Sequence, residues 1–182
     1  MIDLITAAGG NLGSVRSLLE RTGTGYREID TPAQLEGGSP ILIPGVGSFG
    51  AVMERLNTTG LAEAIREQAI RGRKIMGICS GMQVLLKESE ESPEATGLGL
   101  IPGRVEKLKK TPLPNIGWSR LERANAYVYF VNSYHAVTKH REDTAEGVTA
   151  IVRKGSITGF QFHPEKSHRA GEELFRRWRD GL

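Results

Sequence analysis

The run Gly77-Ile78-Cys79-Ser80-Gly81 puts a lone thiol between a predicted strand and a predicted helix. A nucleophile at such a junction sits on a sharp turn, and glycines on either side relieve the crowding where strand turns into helix. The helix start behind it offers unpaired N–H groups and a positive dipole end. Both favour a thiolate and any oxyanion formed beside it. A lone cysteine is more often a small buried apolar residue, but a histidine downstream suggests another use. In Gln161-Phe162-His163-Pro164-Glu165-Lys166-Ser167, His163 ends an apolar strand that Pro164 stops. Glu165, two residues on, can turn its carboxylate back toward the imidazole. Cys79, His163 and Glu165 would then be nucleophile, base and orienting acceptor, the parts needed for covalent acyl transfer.

A third segment, Pro44-Gly45-Val46-Gly47-Ser48-Phe49-Gly50, follows another short apolar run. It lacks the Lys-Ser/Thr ending of a P-loop and the spacing of a dinucleotide turn. Its expected use is an oxyanion loop, with Gly45, Val46 and Gly47 facing Cys79; alone, it also reads as a plain turn.

The elements that must position these groups alternate. Ile2–Thr6, Ile41–Ile43 and Lys74–Ile78 are short apolar runs that read as buried strands. Between and after them, helices are predicted over 11–21, over 51–71 in two parts split near Gly60, and over about 80–87. This order argues for an α/β fold, a mostly parallel sheet with helices on both faces. From 92 to 103 the chain is a Gly/Pro-rich loop. Segments rich in β-formers follow at 126–131, 148–152 and 157–162 and read as hairpins appended to the α/β core. A last helix is predicted over 170–179, with Leu174, Phe175 and Trp178 on one face.

Composition narrows the classes. The 182 residues read as one domain over 1–182, 38% apolar and 25% charged, which argues against disorder. One cysteine excludes an internal disulfide framework and multi-cysteine zinc sites, and fits a reducing cytosol. No apolar stretch is long enough to span a membrane, and the start does not read as a signal peptide. A net charge of +3, without a dense basic stripe, gives no reason to expect nucleic acid.

These motifs together resemble the class I glutamine amidotransferases. Within them they are most similar to the glutaminase subunits of imidazole glycerol phosphate synthases. The resemblance rests on Pro44-Gly45-Val46-Gly47, Gly77-Ile78-Cys79 with Gly81-Met82-Gln83, and Phe162-His163-Pro164-Glu165-Lys166-Ser167. It also takes in Gly10-Asn11-Leu12, Gly97-Leu98-Gly99-Leu100-Ile101-Pro102-Gly103, Ile116-Gly117-Trp118 and Phe130-Val131 with Ser133-Tyr134, and so runs nearly end to end. It implies a three-layer, flavodoxin-like sandwich. It implies that glutamine is hydrolysed to glutamate and ammonia without cofactor or metal. The ammonia would pass to a (β/α)8-barrel synthase partner, which makes imidazole glycerol phosphate and an aminoimidazole carboxamide ribotide in histidine biosynthesis. By the same resemblance, Cys79 forms the thioester, His163 moves the proton, Glu165 orients His163, and the Ser80 N–H is one oxyanion donor. Gly45-Val46-Gly47 supplies a second donor after rearrangement. Gln83 and Asn132-Ser133-Tyr134 are candidates for holding the substrate, with ordinary helix surface the other reading of Gln83. Asn11, Trp118, Tyr129 and Lys166 match positions toward the synthase interface and ammonia passage, with plain core the other reading of Trp118.

The chain departs from the family pattern at Ser80, where leucine is usual, and at Asn115, Ser119 and Asn132. The Ser80 N–H survives that change. Two rivals follow. One is a paralogous glutaminase serving a different barrel synthase in surface-sugar or secondary metabolism. The other is a stand-alone cysteine hydrolase of the same fold, distinguished by turning over peptide instead of glutamine.

Overall fold

In the computed structural model, which describes residues 1–181, the first half alternates as expected. Strand β1 (Ile2–Ile5) is followed by α1 (Leu12–Arg21), β2 (Tyr26–Ile29), a short 3-10 turn (Pro32–Leu35) and β3 (Ile41–Ile43). Helices α2 (Phe49–Thr58) and α3 (Leu61–Ile70), β4 (Ile75–Ile78) and α4 (Ser80–Gln83) come next. Strands β1, β3 and β4 are buried along their whole length, as a strand covered on both faces must be. Helices on both faces supply the cover. Val15, Leu18 and Leu19 of α1 share a core with Phe175 and Trp178 of the last helix, α5 (His168–Asp180). On the other face, Val52, Met53 and Leu56 of α2 pack with Leu61 and Ile65 of α3.

Asp3 in β1 is fully buried, and its charge is matched by Arg73 and by Arg27, the latter 2.5 Å away. Arg73 spends its remaining donors on the carbonyls of Leu35 and Ser39. A buried charge paired and hydrogen-bonded in this way is tolerated, whereas removing one partner is costly.

In the second half β5 (Glu88–Ser89), β6 (Arg104–Lys107), β7 (Asn115–Arg120), β8 (Tyr127–Asn132) and β9 (Tyr134–Val137) form two small sheets, β5-β6-β9 and the hairpin β7-β8. Strands β10 (Arg141–Ala145), β11 (Val148–Lys154) and β12 (Ile157–Phe160) extend the central sheet itself, in the order β10-β11-β12-β4-β3-β1-β2. Four pairings of this sheet are parallel, and β12 lies parallel to β4 with Gly159 opposite Gly77 and Phe160 opposite Ile78. The segments that follow β3, β4 and β12 therefore meet at one edge of the sheet, where ligands bind in open α/β sheets.

Helix α4 is one turn, shorter than the span of about 80–87 expected for it. Beyond Gln83 the bonds tighten from four residues to three, Leu85 N to Met82 O at 3.1 Å and Leu86 N to Gln83 O at 3.0 Å, and Lys87 N turns away to Gly103 O. The free carbonyls of 84–87 are taken up by the N–H groups of Gly97, Leu98, Gly99 and Ile101.

Candidate active site

Cys79 stands between β4 and α4 with φ 55° and ψ −116°, a left-handed backbone rare for a side-chain-bearing residue. Its N–H donates to Phe160 O at 2.7 Å, and its carbonyl accepts from Met82 and Gln83, at 3.0 and 3.1 Å. The turn is pinned from both sides. The chain after β3 lies so close behind it that a Cβ on Gly45 would come within 2.1 Å of Gly81 N, and one on Gly81 within 2.0 Å of Ile43 O. No other residue fits this contact between backbones. With α4 only one turn long, its dipole is small. Any oxyanion stabilisation falls to individual N–H groups, and Ser80, as the first helical residue, has no intrahelical acceptor for its own.

His163 leaves β12 three residues beyond the strand end and is 5% exposed. Its Nδ1 lies 2.7 Å from Glu165 Oε1, and it lines the same cleft as Cys79, whose sulfur lies 3.9 Å from Val131 O. Burial alone would lower the imidazole pKa. The neighbouring Cys79 and then the hydrogen bond to Glu165, with the charges of both groups, outweigh it and raise the value to about 10. Nucleophile, imidazole and carboxylate thus stand in series, and the imidazole keeps its proton at neutral pH.

A cleft of about 270 Å³ opens over Cys79. That is just below the usual range of ligand pockets, about 300–1,000 Å³, and suits a small molecule better than a peptide chain. Its lining includes Val46, Gly47, Ser80, Gln83, His163 and Lys166, together with Asn132, Ser133 and Tyr134 from the β8–β9 junction. Among the described residues there is no cluster of three or more His, Cys, Asp or Glu that could hold a metal ion.

The profile described as glutamine amidotransferase class-I matches residues 15–179 of the chain. The chain belongs to the class-I glutamine amidotransferase family. It is 39% identical to "Imidazole glycerol phosphate synthase subunit HisH" of Symbiobacterium thermophilum, with 93% of this chain and 88% of that protein covered. The protein of the same description from Bacillus subtilis is 38% identical, with 96% and 93% covered. Among solved structures, one described as a glutamine amidotransferase superposes with a TM-score of 0.84 at 20% identity, covering 100% of this chain and 99% of that one. The PurLQS structure from Thermotoga maritima superposes at 0.79 with 19% identity, covering 100% and 98%. At such identities these two likenesses concern the fold.

As an amidotransferase of this class, the chain brings most of its sequence-derived site residues into one cleft, but not in equal roles. Gly45 lies behind the turn, and Glu165 lies behind His163. Gln83 is buried, and its amide nitrogen is spent on Tyr134 O and Gln161 Oε1, both at 3.1 Å. Asn132 donates to the same Tyr134 carbonyl at 2.9 Å and accepts from Asn115 at 3.0 Å. These two amides brace the β8–β9 junction. Asn11, Trp118 and Tyr129 do not line the cleft. The Asn11 side chain accepts from Ser14 N at 3.3 Å and caps α1. Trp118 is 45% exposed on the β7-β8 hairpin, stacked on His168 and edge-on to Tyr129. Lys166 is exposed at the cleft mouth.

Two residues to which the sequence assigns no role take one in the fold. Glu91 lines the cleft and accepts the Phe49 N–H at 2.8 Å; it sits in the run Glu88-Ser89-Glu90-Glu91, which carries no local sign of a site. Ser167 is 1% exposed, and its hydroxyl donates to His163 O at 2.6 Å and accepts from Tyr129 N at 2.9 Å. It ties the His163 turn to β8.

Proposed function

We propose that this chain is the glutaminase subunit of an imidazole glycerol phosphate synthase, delivering ammonia to a barrel synthase subunit in histidine biosynthesis. The observation that carries the chemistry is the series Cys79–His163–Glu165, with Cys79 and His163 lining a small cleft and Glu165 behind the imidazole. The partner rests on the two HisH relatives.

The Cys79 sulfur attacks the γ-carboxamide carbon of glutamine. The carbonyl oxygen becomes an oxyanion held by the Ser80 N–H and by an N–H of the Gly45-Val46-Gly47 loop, each worth about two to three orders of magnitude in rate. His163 gives its proton to the departing nitrogen, ammonia leaves, and a γ-glutamyl thioester remains. Water, deprotonated by His163, then opens the thioester to glutamate and returns the thiol. Glu165 holds the ring in orientation and stabilises its charged form. Glu91 suits the α-ammonium of glutamine, and Ser133 and Tyr134 flank the substrate on the other side. Gln83 and Asn132 support this wall through the Tyr134 carbonyl.

The face carrying Asn11, Trp118, Tyr129 and Lys166 meets the synthase subunit, and ammonia crosses there. A catalytic thiol of this kind belongs in the reducing cytosol. Among the described residues no helix is long and apolar enough to cross a membrane.

The test is glutamate release from glutamine by the wild type and Cys79→Ala, with and without the barrel subunit and its ribulosyl nucleotide. Stimulation by the loaded partner, abolished in Cys79→Ala, is the expected result. Turnover that needs Cys79 but ignores this partner would point to another synthase. Absence of Cys79-dependent turnover in every condition would end the glutaminase reading.

A further inference from the structure

We propose that the Ser80 hydroxyl is a positioning group for the oxyanion loop: by binding the Gly47 carbonyl it holds Gly45-Val46-Gly47 in a resting arrangement. This deepens the glutaminase reading and rests on it. Ser80 is 4% exposed, and its Oγ donates to Gly47 O at 2.6 Å. The residue directly after the nucleophile thus reaches across and grips the loop that faces it. A leucine in this place, usual among the proteins this chain resembles, could not make that bond.

The sign of the effect follows from what the loop presents. An oxyanion beside Cys79 needs N–H donors. Here the loop turns a carbonyl oxygen toward Ser80, the residue whose own N–H is to hold that oxyanion. Held by this carbonyl, the loop faces Ser80 with an acceptor in place of an N–H donor, so this arrangement lowers the stabilisation available to the transition state.

The loop is also built to turn. Gly45 is locked against Gly81, where a Cβ would come within 2.1 Å of backbone, and serves as the fixed end. Gly47 has φ +93° with nothing within 4 Å of a Cβ position, and Val46 between them is 42% exposed. Besides the Ser80 bond, the Val46 carbonyl of the loop is reached by the Arg55 guanidinium at 3.5 Å, which also donates to Ala8 O, outside the loop, at 3.0 Å. The first of these is long, and the Ser80 bond is the short one.

Two readouts test the proposal, and only one depends on activity. Amide hydrogen exchange of residues 45–49 is measured in the wild type, Ser80→Ala and Ser80→Thr. Loss of one such hydrogen bond is expected to speed exchange in Ser80→Ala roughly three- to tenfold, while Ser80→Thr, which keeps a hydroxyl, restores the protection. Glutamine hydrolysis is then measured without partner. Ser80→Ala is expected to raise kcat by a similar factor with KM little changed, and to reduce the further stimulation given by a loaded synthase subunit. Unchanged exchange, or a lower partner-free kcat in Ser80→Ala, would overturn the proposal. If even the wild type with its partner shows no Cys79-dependent turnover, the glutaminase reading fails, and the exchange data alone decide whether Ser80 holds the loop.

Discussion

Glu165 Oε1 lies 2.7 Å from His163 Nδ1, so the second ring nitrogen is the one left for Cys79. The carboxylate does not touch the cleft chemistry directly. It acts by fixing the tautomer and favouring the charged ring, and this gives the site its pH behaviour. The folded His163 pKa, about 10, lies above its ordinary 6.5. Stability from this interaction is therefore fully present below about 6.5 and is lost as pH rises toward 10. Activity that needs the protonated ring should hold into the alkaline range and fall near pH 10. Glu165→Gln removes a cause of the upward shift, so its alkaline limb should move to lower pH and its kcat should drop. A kcat/KM profile of both proteins checks this; coincident alkaline limbs would show that Glu165 does not set the His163 proton.

The left-handed Cys79 backbone should be paid for in stability. Cys79→Gly and Cys79→Ala both remove the thiol, but only glycine takes φ 55° without strain. Cys79→Gly should unfold at higher urea than Cys79→Ala, by about 1–3 kcal/mol. Equal midpoints would mean that the turn relaxes once the sulfur is gone.

Ser167 should matter more than its distance from the chemistry suggests. Ser167→Ala leaves the Tyr129 N–H without its partner and takes one of the hydrogen bonds from His163 O. The expected cost is about 1–3 kcal/mol in stability, with kcat lower by roughly ten- to a hundredfold as the imidazole drifts. Urea unfolding and glutamate release on the same preparation separate the two effects, and Ser167→Thr should recover part of both.

The parts of the site that sequence reveals are those written in local pattern. The strand–Cys79–helix junction and the His163-Pro164-Glu165 turn carry their geometry within a few residues, as do the fully apolar strands β1, β3 and β4. What stayed hidden depends on distant contacts. Strand β2 lies at the sheet edge with Arg27 and Glu28 exposed, so it lacks the continuous apolar run of its neighbours. Helix α4 stops early because its bonds tighten after Gln83 and the N–H of Lys87 turns to Gly103, far along the chain. Glu91 looks like any loop carboxylate until the fold turns it into the cleft. Strands 148–152 and 157–162 read as hairpins, but nothing local says that Gly159 pairs beside Gly77.

The outer face of the β7-β8 hairpin should bind the synthase subunit. Cross-strand pairing sets Ile116 beside Val131, Trp118 beside Tyr129 and Arg120 beside Tyr127. Ile116 and Tyr127 are each 60% exposed, a large apolar area for a surface with nothing over it. Val131 also lines the cleft, so this face runs directly into the site where ammonia forms. A tryptophan held by stacking on His168 presents its area at little entropic cost, the profile of a binding hot spot. Trp118→Ala should weaken association with the barrel subunit by about 2 kcal/mol or more, roughly thirtyfold in Kd. Titration calorimetry of wild type and variant against the isolated barrel subunit measures it. An unchanged Kd would remove Trp118 from the interface and move the docking surface elsewhere on the sheet edge.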